Sequence, residues 1–347
     1  MNTDLPTAHC PLSTVHCPLQ TNTDFMKIKE FTDYAVYAEG KKYYLWPEGK
    51  MPDAQPQQIA ATTEEAAAEG FKPEENRIPH IQWFKAPDES VRTDICMIII
   101  SGGGYSNCCD MPSFAPLVGR LLAAGINCVN FTYRTPRPQG IPIYQTAWED
   151  GQRAVRLVRS QAAEHGFSPD KIGVIGCSAG SHLCMLLALS SQTATYKPID
   201  KLDELPCNVA YAIPMCPAYV LTDGLLEPNT KRGHGDDVVL DDVFKFDANT
   251  CPCCFMHGGN DPYSPMGSVK AYRRLRQMGI PAELHLESKA PHGFAYYERL
   301  DTPQITLDFL RHIGILPQHN SLEADMAAIA KWEKDRLAGC QGELDLL

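Results

Sequence analysis

The sequence lacks several features that define classes of protein. It has no apolar run long enough to cross a membrane, and residues 1–25 hold no segment with the apolar length of a signal peptide. Positive charge is scarce, with 31 lysines and arginines against 42 aspartates and glutamates and a net charge of −11. These absences argue against partners such as nucleic acid and anionic membrane. We expect a cytoplasmic chain, or a secreted one if a leader has been trimmed, with a neutral or weakly charged substrate.

A disulfide framework is also not expected. The 14 cysteines come without a secretion signal, which indicates reduced thiols. Two cysteine groups are metal-like in composition: the repeat His9-Cys10 and His16-Cys17, and the run 251–254 (Cys-Pro-Cys-Cys). The spacing of the repeat matches no zinc signature, so a flexible arm is favoured over a metal site. The second group begins a predicted core strand, where cysteine acts as a small hydrophobe.

The chain has enough material for one large domain with extensions, at 347 residues and 44% hydrophobic content. We predict an N-terminal extension and connector at 1–80, a main α/β domain at 81–317 and a helical tail at 318–347. A strand or hairpin is expected within 34–46, and a short helix near 63–69. The amphipathic pattern of 324–337 predicts a tail helix that packs on the body or on a second copy of the chain, so a homodimer is one open option.

From residue 81 onward, short apolar runs alternate with segments of helical periodicity. Strands are predicted at 81–84, 94–100, 127–133, around 174, 209–215, 254–257 and 282–287, and helices at 114–124, 144–165, 181–190, 264–278 and 303–313. This alternation predicts a mainly parallel central sheet with helices on both faces. The irregular, acidic stretch 218–249 is expected to cover a site.

The segment 176–180 (Gly-Cys-Ser-Ala-Gly) has the form Gly-x-Ser-x-Gly between a predicted strand and a predicted helix. A serine in this tight turn takes a strained conformation that exposes its hydroxyl, and flanking side chains would collide. Ser178 is therefore the candidate nucleophile. Its neighbour Cys177 is a rival, but the flanking position should direct the thiol away from the site.

A serine hydroxyl needs a base, and the base needs an orienting carboxylate. His292 follows the last predicted strand, and Asp261 follows the strand at 254–257. The order Ser178, Asp261, His292 is the order of α/β-hydrolases. The other histidines compete less well: His285 lies mid-strand, and His257 and His182 are expected to be buried structural residues.

A glycine run, 101–105 (Ser-Gly-Gly-Gly-Tyr), directly follows a predicted buried strand. Backbone without side chains can bring N–H groups close to an oxyanion. The expected donors are the amides of Gly103, Gly104 and Ala179. A phosphate-binding loop is the alternative, although the run matches neither a Walker motif nor Gly-x-Gly-x-x-Gly.

Together these motifs resemble the α/β-hydrolase superfamily, and within it the acetyl xylan esterase-like and hormone-sensitive-lipase-like bacterial serine esterases. The resemblance covers about residues 81–315 and also includes 130–134 (Asn-Phe-Thr-Tyr-Arg) and the helix 150–159. It departs from the family at Ser101, where relatives often have Pro or His, and at Cys177, where an aromatic residue is common.

The resemblance implies the α/β-hydrolase fold, with 81–317 as the catalytic domain. It also implies hydrolysis of short-chain acyl esters through an acyl-enzyme, often deacetylation of xylan or xylo-oligosaccharide. It gives Ser178, Asp261 and His292 as the catalytic residues and requires no metal or organic cofactor. Candidate aromatic contacts for a small-molecule or oligosaccharide substrate are Tyr105, Tyr263, Tyr219, Trp148 and Tyr296. The alternatives are a peptidase of prolyl oligopeptidase type and a non-catalytic binding protein on a hydrolase scaffold.

Overall fold

The computed structural model describes residues 41–55, 58, 78–84, 92–108, 115–222, 238–293 and 300–317. Within these ranges the chain forms one eight-stranded sheet. Its strands are β1 (Tyr43–Tyr44), β2 (His80–Trp83), β3 (Cys96–Ile100), β4 (Asn127–Thr132), β5 (Ile172–Cys177), β6 (Tyr211–Met215), β7 (Cys253–Gly258) and β8 (Ala282–Glu287). Their order is β1-β2-β4-β3-β5-β6-β7-β8. The pairs β1–β2 and β2–β4 are antiparallel, and the strands from β4 to β8 are parallel.

Helices cover both faces of this sheet, as the sequence predicts. The described helices are α1 (Ala115–Ala123), α2 (Gln145–Ser160), α3 (Ala162–His165), α4 (Ala179–Leu189), α5 (Met266–Gln277) and α6 (Thr302–His312). Helices α2, α4 and α5 share one buried cluster with the sheet, while α1 and α6 share a second cluster on the opposite face. The α/β-hydrolase architecture predicted from the sequence is confirmed.

Strand β3 illustrates why the parallel strands are continuously apolar. All five of its residues are buried. Cys96, Ile98 and Ile100 belong to the cluster under α2 and α4, whereas Met97 and Ile99 belong to the cluster under α1 and α6. Because successive side chains of a strand point to opposite faces, a strand covered on both faces must be apolar at every position.

One element differs from the sequence-based expectation. The predicted helix 144–165 is interrupted at Gln161, and its second part ends at Gly166, whose positive φ of 72° suits glycine. The side chain of Gln161 accepts a hydrogen bond from Trp83 Nε1 at 2.9 Å, which ties this break to β2. At the edge of the sheet, β1 pairs with β2 inside the segment 34–46, where a strand or hairpin is expected.

A buried ion cluster fixes the end of β4 against α2. Arg134 follows β4 and is 1% exposed. Its guanidinium lies 2.6 Å from Asp150 and 3.2 Å from Glu149, and Asp150 also accepts a hydrogen bond from Trp46 at 2.6 Å. Burial raises the pKa of Glu149 to about 8. A buried cation of this kind is tolerated only with such partners, so the cluster sets the path of the chain here.

Several predictions lie outside the described residues: the repeat at 9–17, the helix at 63–69 and the tail at 318–347. The proposed division at residues 80 and 317 therefore stays a prediction. None of the helices described here combines the length and apolar character needed to cross a bilayer.

Candidate active site

Ser178 lies between β5 and α4 with a backbone conformation that side chains rarely adopt. Its φ is 57° and its ψ is −121°. Such a conformation is strained for any residue with a Cβ and is typical of functional positions. The serine is half-buried, whereas all of β5 before it is fully buried. The turn thus lifts the hydroxyl out of the sheet, as the Gly-x-Ser-x-Gly pattern predicts.

The glycines of this turn are required by close backbone packing. A Cβ on Gly176 would lie 2.5 Å from the carbonyl oxygen of Gly180. A Cβ on Gly180 would lie 2.4 Å from the carbonyl oxygens of Ile100 and Ser101. The second contact joins the serine turn to the loop after β3, so only glycine lets the two segments approach this closely.

His292 bridges Ser178 and Asp261. Its Nε2 lies 2.7 Å from Ser178 Oγ, and its Nδ1 lies 2.8 and 2.9 Å from the two carboxylate oxygens of Asp261. An ionised carboxylate can only accept, so the Nδ1 carries a proton and the Nε2 is free to accept the serine proton. The three side chains that the sequence singled out therefore meet at the carboxyl ends of β5, β7 and β8, where parallel sheets bind ligands.

The charges of this group favour an ionised Asp261. Burial alone would raise its pKa, but hydrogen bonds from His257 and His292 outweigh burial and hold the pKa of Asp261 below its usual value. For His292, burial lowers the pKa, while Cys216 and Asp261 raise it, and the net direction is upward. Burial raises the pKa of Cys216 well above its ordinary value and keeps the thiol neutral, so we attribute the rise at His292 to Asp261.

The glycine run wraps around Ser178. A Cβ on Gly102 would lie 3.1 Å from Ser178 Cβ, so this residue passes directly beside the serine. Gly103 has a φ of 123°, and a Cβ there would lie 2.1 Å from the carbonyl oxygen of Asn107. Gly104 also has a positive φ, of 62°. The run is thus a tight loop beside Ser178, and the oxyanion role of Gly103, Gly104 and Ala179 stays a prediction.

Tyr133 supports this loop, a role that the sequence did not reveal. It follows β4 and is fully buried. Its hydroxyl donates to the carbonyl oxygens of Ser101 and Gly102, at 3.2 Å each. The only signal in the sequence is the tyrosine of the segment 130–134, which indicates a family likeness but no contact.

An aromatic wall stands next to His292. The ring of Tyr263 lies 4.9 Å from the His292 ring and 5.3 Å from the ring of Tyr219. Arg137, which the sequence analysis did not single out, donates to the Tyr219 hydroxyl at 2.8 Å and to the carbonyl oxygen of Gly104 at 2.6 Å. All three side chains are half-buried, so they remain candidates for contact with a substrate.

The structure contradicts two of the predicted aromatic contacts for a substrate, Tyr105 and Trp148. Tyr105 is 1% exposed, and its hydroxyl lies 2.7 Å from His182 Nδ1. Trp148 is 3% exposed and belongs to the core cluster. Neither offers surface for a sugar, because both point into the space between sheet and helices. His182 is buried, as predicted, and burial lowers its pKa to about 3, so it stays neutral. Tyr296 lies outside the described residues.

The thiol of Cys177 is buried and lies 3.2 Å from the thiol of Cys216. It packs in the cluster beneath the turn, whereas Ser178 is partly open to solvent. Cys216, Asp261 and His292 have ligand atoms within 4.8 Å of one another. Asp261 and His292 already form a hydrogen bond to each other, and His292 forms one to Ser178. The group is therefore part of the hydrogen-bonded site described above.

Comparison with known proteins finds one matching family model and several related proteins. The BD-FAE family model matches residues 84–213, which include Ser178 and the glycine run. Endo-1,4-beta-xylanase B of Butyrivibrio fibrisolvens is 35% identical over 107 residues, covering 29% of this chain and 16% of that protein. Esterase LipQ of Mycobacterium tuberculosis is 27% identical over 219 residues, covering 57% of this chain and 50% of that protein. The chain therefore spans half or less of the length of these two relatives.

Among solved structures, the chain is similar to an acetyl ester-xyloside bifunctional hydrolase from Caldicellulosiruptor lactoaceticus. The TM-score is 0.59 at 22% identity, and the match covers 80% of this chain and 98% of that chain. At this level of identity the likeness establishes the fold. It agrees with the mainly parallel sheet described above.

Proposed function

We propose that this chain, an α/β-hydrolase of the esterase group, is a serine carboxylesterase that cleaves short-chain acyl esters through an acyl-enzyme. One observation carries the proposal: the continuous hydrogen-bonded path from Asp261 through His292 to Ser178, with distances of 2.8 and 2.7 Å. A serine hydroxyl becomes nucleophilic when a base within this distance can take its proton. The names of the related proteins support ester hydrolysis as the reaction class.

The chemistry follows from the two ends of the His292 ring. As Ser178 Oγ attacks the ester carbonyl carbon, its proton passes to His292 Nε2, and Asp261 stabilises the imidazolium that forms. The proton then goes to the departing alcohol oxygen, which leaves an acyl-serine. Water attacks the acyl carbon, with His292 again taking a proton, and the acid and free serine are released. The amides of Gly103, Gly104 and Ala179 are the proposed donors to the oxyanion in both halves.

The substrate that we propose is an acetylated carbohydrate, such as acetylated xylan or a xylo-oligosaccharide. Two of the related proteins are named for xylan or xyloside. The aromatic wall of Tyr219 and Tyr263 supports this choice, since aromatic faces suit the apolar faces of sugar rings. Arg137 beside the wall adds donors for hydroxyl or carbonyl oxygens.

The proposal is tested by a series of p-nitrophenyl esters, acetylated xylan, a proline-linked anilide and one covalent label. We expect turnover of p-nitrophenyl acetate, a fall in rate as the acyl chain lengthens, and acetate release from acetylated xylan. A proline-linked anilide should not be cleaved, and its cleavage would favour the peptidase alternative. An organophosphonate should add a single label to the native chain and none to Ser178→Ala. Labelling of Cys177, or no turnover of any ester, would contradict the proposal.

The nucleophile itself is tested by kinetics. Ser178→Ala should lower kcat by roughly 10⁴-fold or more, because the serine and the histidine act as one unit. Cys177→Ala is the matched control, since it alters the adjacent side chain but leaves the hydroxyl. It should retain most of the activity, whereas near-native activity in Ser178→Ala would rule out the assigned role.

A further inference from the structure

Side chains with metal-ligand chemistry meet on the sheet face that α6 covers, away from the serine site. Cys254 lies on β7, and Glu283 and His285 lie on β8, the edge strand. Cys254 pairs with Glu283 and Met256 pairs with His285 in the parallel register. Because paired residues and residues two apart share a face, the three side chains project on the same side of the sheet. Their Sγ, carboxylate and imidazole ligand atoms all lie within 4.8 Å of one another.

The spacing of these atoms suits a small tetrahedral cation. His285 Nε2 lies 3.1 Å from Glu283 Oε2. Zinc bonds of the usual lengths place tetrahedral ligand atoms about 3.3–3.8 Å apart, so small side-chain rotations bring this set to bonding distance. The donors are one thiol, one imidazole and one carboxylate, a combination that zinc accepts and that calcium and magnesium do not.

The other oxygen of Glu283 is held by a second histidine. His312, the last residue of α6, has its Nδ1 2.7 Å from Glu283 Oε1. Outer contacts of this kind fix the orientation of metal-binding carboxylates and histidines. The four side chains are arranged from core to surface: Cys254 is fully buried, the side chains of Glu283 and His285 are 27% and 34% exposed, and that of His312 is 64% exposed. A cation can therefore enter from solvent.

We propose that Cys254, Glu283 and His285 bind one zinc ion, with His312 as the outer partner that orients Glu283 and with water at the fourth position. A thiolate and a carboxylate together balance the charge of a divalent cation, so the bound site is neutral. The neighbouring Cys253 faces the opposite core cluster and takes no part. The ion would join β8 to β7 and, through His312, to α6, so its role is to stabilise the edge of the sheet.

The test uses cobalt as a spectroscopic substitute for zinc, with the full-length reduced protein. Titration with Co²⁺ should give a near-ultraviolet thiolate-to-cobalt band that saturates at one ion per chain and disappears when Zn²⁺ is added. Cys254→Ser should lose the band, and His285→Gln should lose saturable one-to-one binding. His312→Ala should bind roughly 10- to 100-fold more weakly, the usual loss for an outer partner. Circular dichroism of each variant checks that it is folded.

Two controls separate this site from another carboxylate on the same strand and from thiols elsewhere in the chain. Glu287→Gln removes a carboxylate from the same strand and face beyond the cluster, and it should bind cobalt like the native chain. The double variant Cys10→Ser with Cys17→Ser removes the thiols of the N-terminal His-Cys repeat and should also keep the band. A band that persists in Cys254→Ser, or that vanishes in the double variant, would overturn the proposal. So would the absence of a thiolate band from the native chain.

Discussion

The Nε2 atom of His257 lies 3.4 Å from Oδ2 of Asp261, so this carboxylate faces two imidazoles. The same Nε2 lies 3.1 Å from the carbonyl oxygen of Tyr263, which can only accept, so it carries a proton. Its Nδ1 lies 2.8 Å from the hydroxyl oxygen of Ser268. His257 is thus a buried donor that contacts the same carboxylate oxygen of Asp261 as His292 does.

This contact predicts a positioning role for His257. His257→Leu should lower kcat roughly three- to tenfold, since one hydrogen bond to a charged group is lost. It should also move the acid limb of the pH profile to higher pH. Without the donor at 257, the negative charge of Asp261 acts on His292 alone and raises the pKa of His292 further. His257→Gln retains a donor and should restore most of both properties. A lower Tm with an unmoved pH profile would indicate a purely structural role.

The pH dependence of kcat/KM should reflect His292. Its pKa is raised above the ordinary value of 6.5. The protonated ring cannot accept the serine proton, so activity should be full above this raised pKa and fall about tenfold per pH unit below it. A profile measured with p-nitrophenyl acetate should therefore have its acid midpoint above 6.5.

The control for this prediction is Cys216→Ala. If Asp261 raises the pKa of His292, removing a neutral thiol should leave the acid midpoint where it is in the native chain. A midpoint that falls in Cys216→Ala would show that the thiol carries charge in the folded protein. A native midpoint well below 6.5 would mean that burial outweighs Asp261.

Tyr133 should matter for catalysis although it is fully buried beneath the glycine loop. Tyr133→Phe removes the hydroxyl that contacts the carbonyl oxygens of Ser101 and Gly102. Hydrogen bonds of this kind contribute about 1 kcal/mol each, so kcat should fall roughly two- to tenfold. KM should change less, since the loop is expected to act on the transition state. Tyr211→Phe, which removes another buried hydroxyl bound to a β3 carbonyl, is the matched control and should keep kcat.

Gly180→Ala should damage both stability and activity. The added Cβ would lie 2.4 Å from the carbonyl oxygens of Ile100 and Ser101, and both contacts are with backbone. We expect the free energy of unfolding to fall by about 1–3 kcal/mol, as in overpacked cores. Residual activity should be low, since the glycine loop must move away from Ser178. Gly279→Ala is the comparison for activity, because a Cβ there meets nothing within 4 Å and only the positive φ of 75° makes alanine costly. It should lose some stability but keep its activity, so an equal loss of activity in the two variants would contradict this view.

The fold was largely predictable because its signals are local. The continuous apolar runs predicted β3 and β4, and helical periodicity predicted α1, α5 and α6 to within two residues at either end. The break of the long helix at Gln161 was not predicted, and the side chain there binds Trp83, which is 78 residues away. Periodicity carries no information about such a partner.

For the candidate site, too, the features set by neighbouring residues were predictable and those set by distant residues were not. The pattern around Ser178, and the positions of Asp261 and His292 just after strands, came from the chain itself, because a tight turn and a strand end are properties of neighbouring residues. The burial of Tyr105 and the contact of His257 with Asp261 could not be predicted. Both depend on the distance between side chains from separate elements, and one sequence does not specify that distance.

By itself, the sequence determined the alternation of strands and helices, the turn that exposes the Ser178 hydroxyl, and the order of the three side chains proposed for catalysis. The tertiary structure alone decided that Tyr133 supports the glycine loop and that Cys254, Glu283 and His285 share one face beside His312. The physical reason is range: backbone propensity and side-chain periodicity act over a few residues. Hydrogen bonds and ligand sets instead depend on sheet register and helix packing, which join residues far apart in the chain.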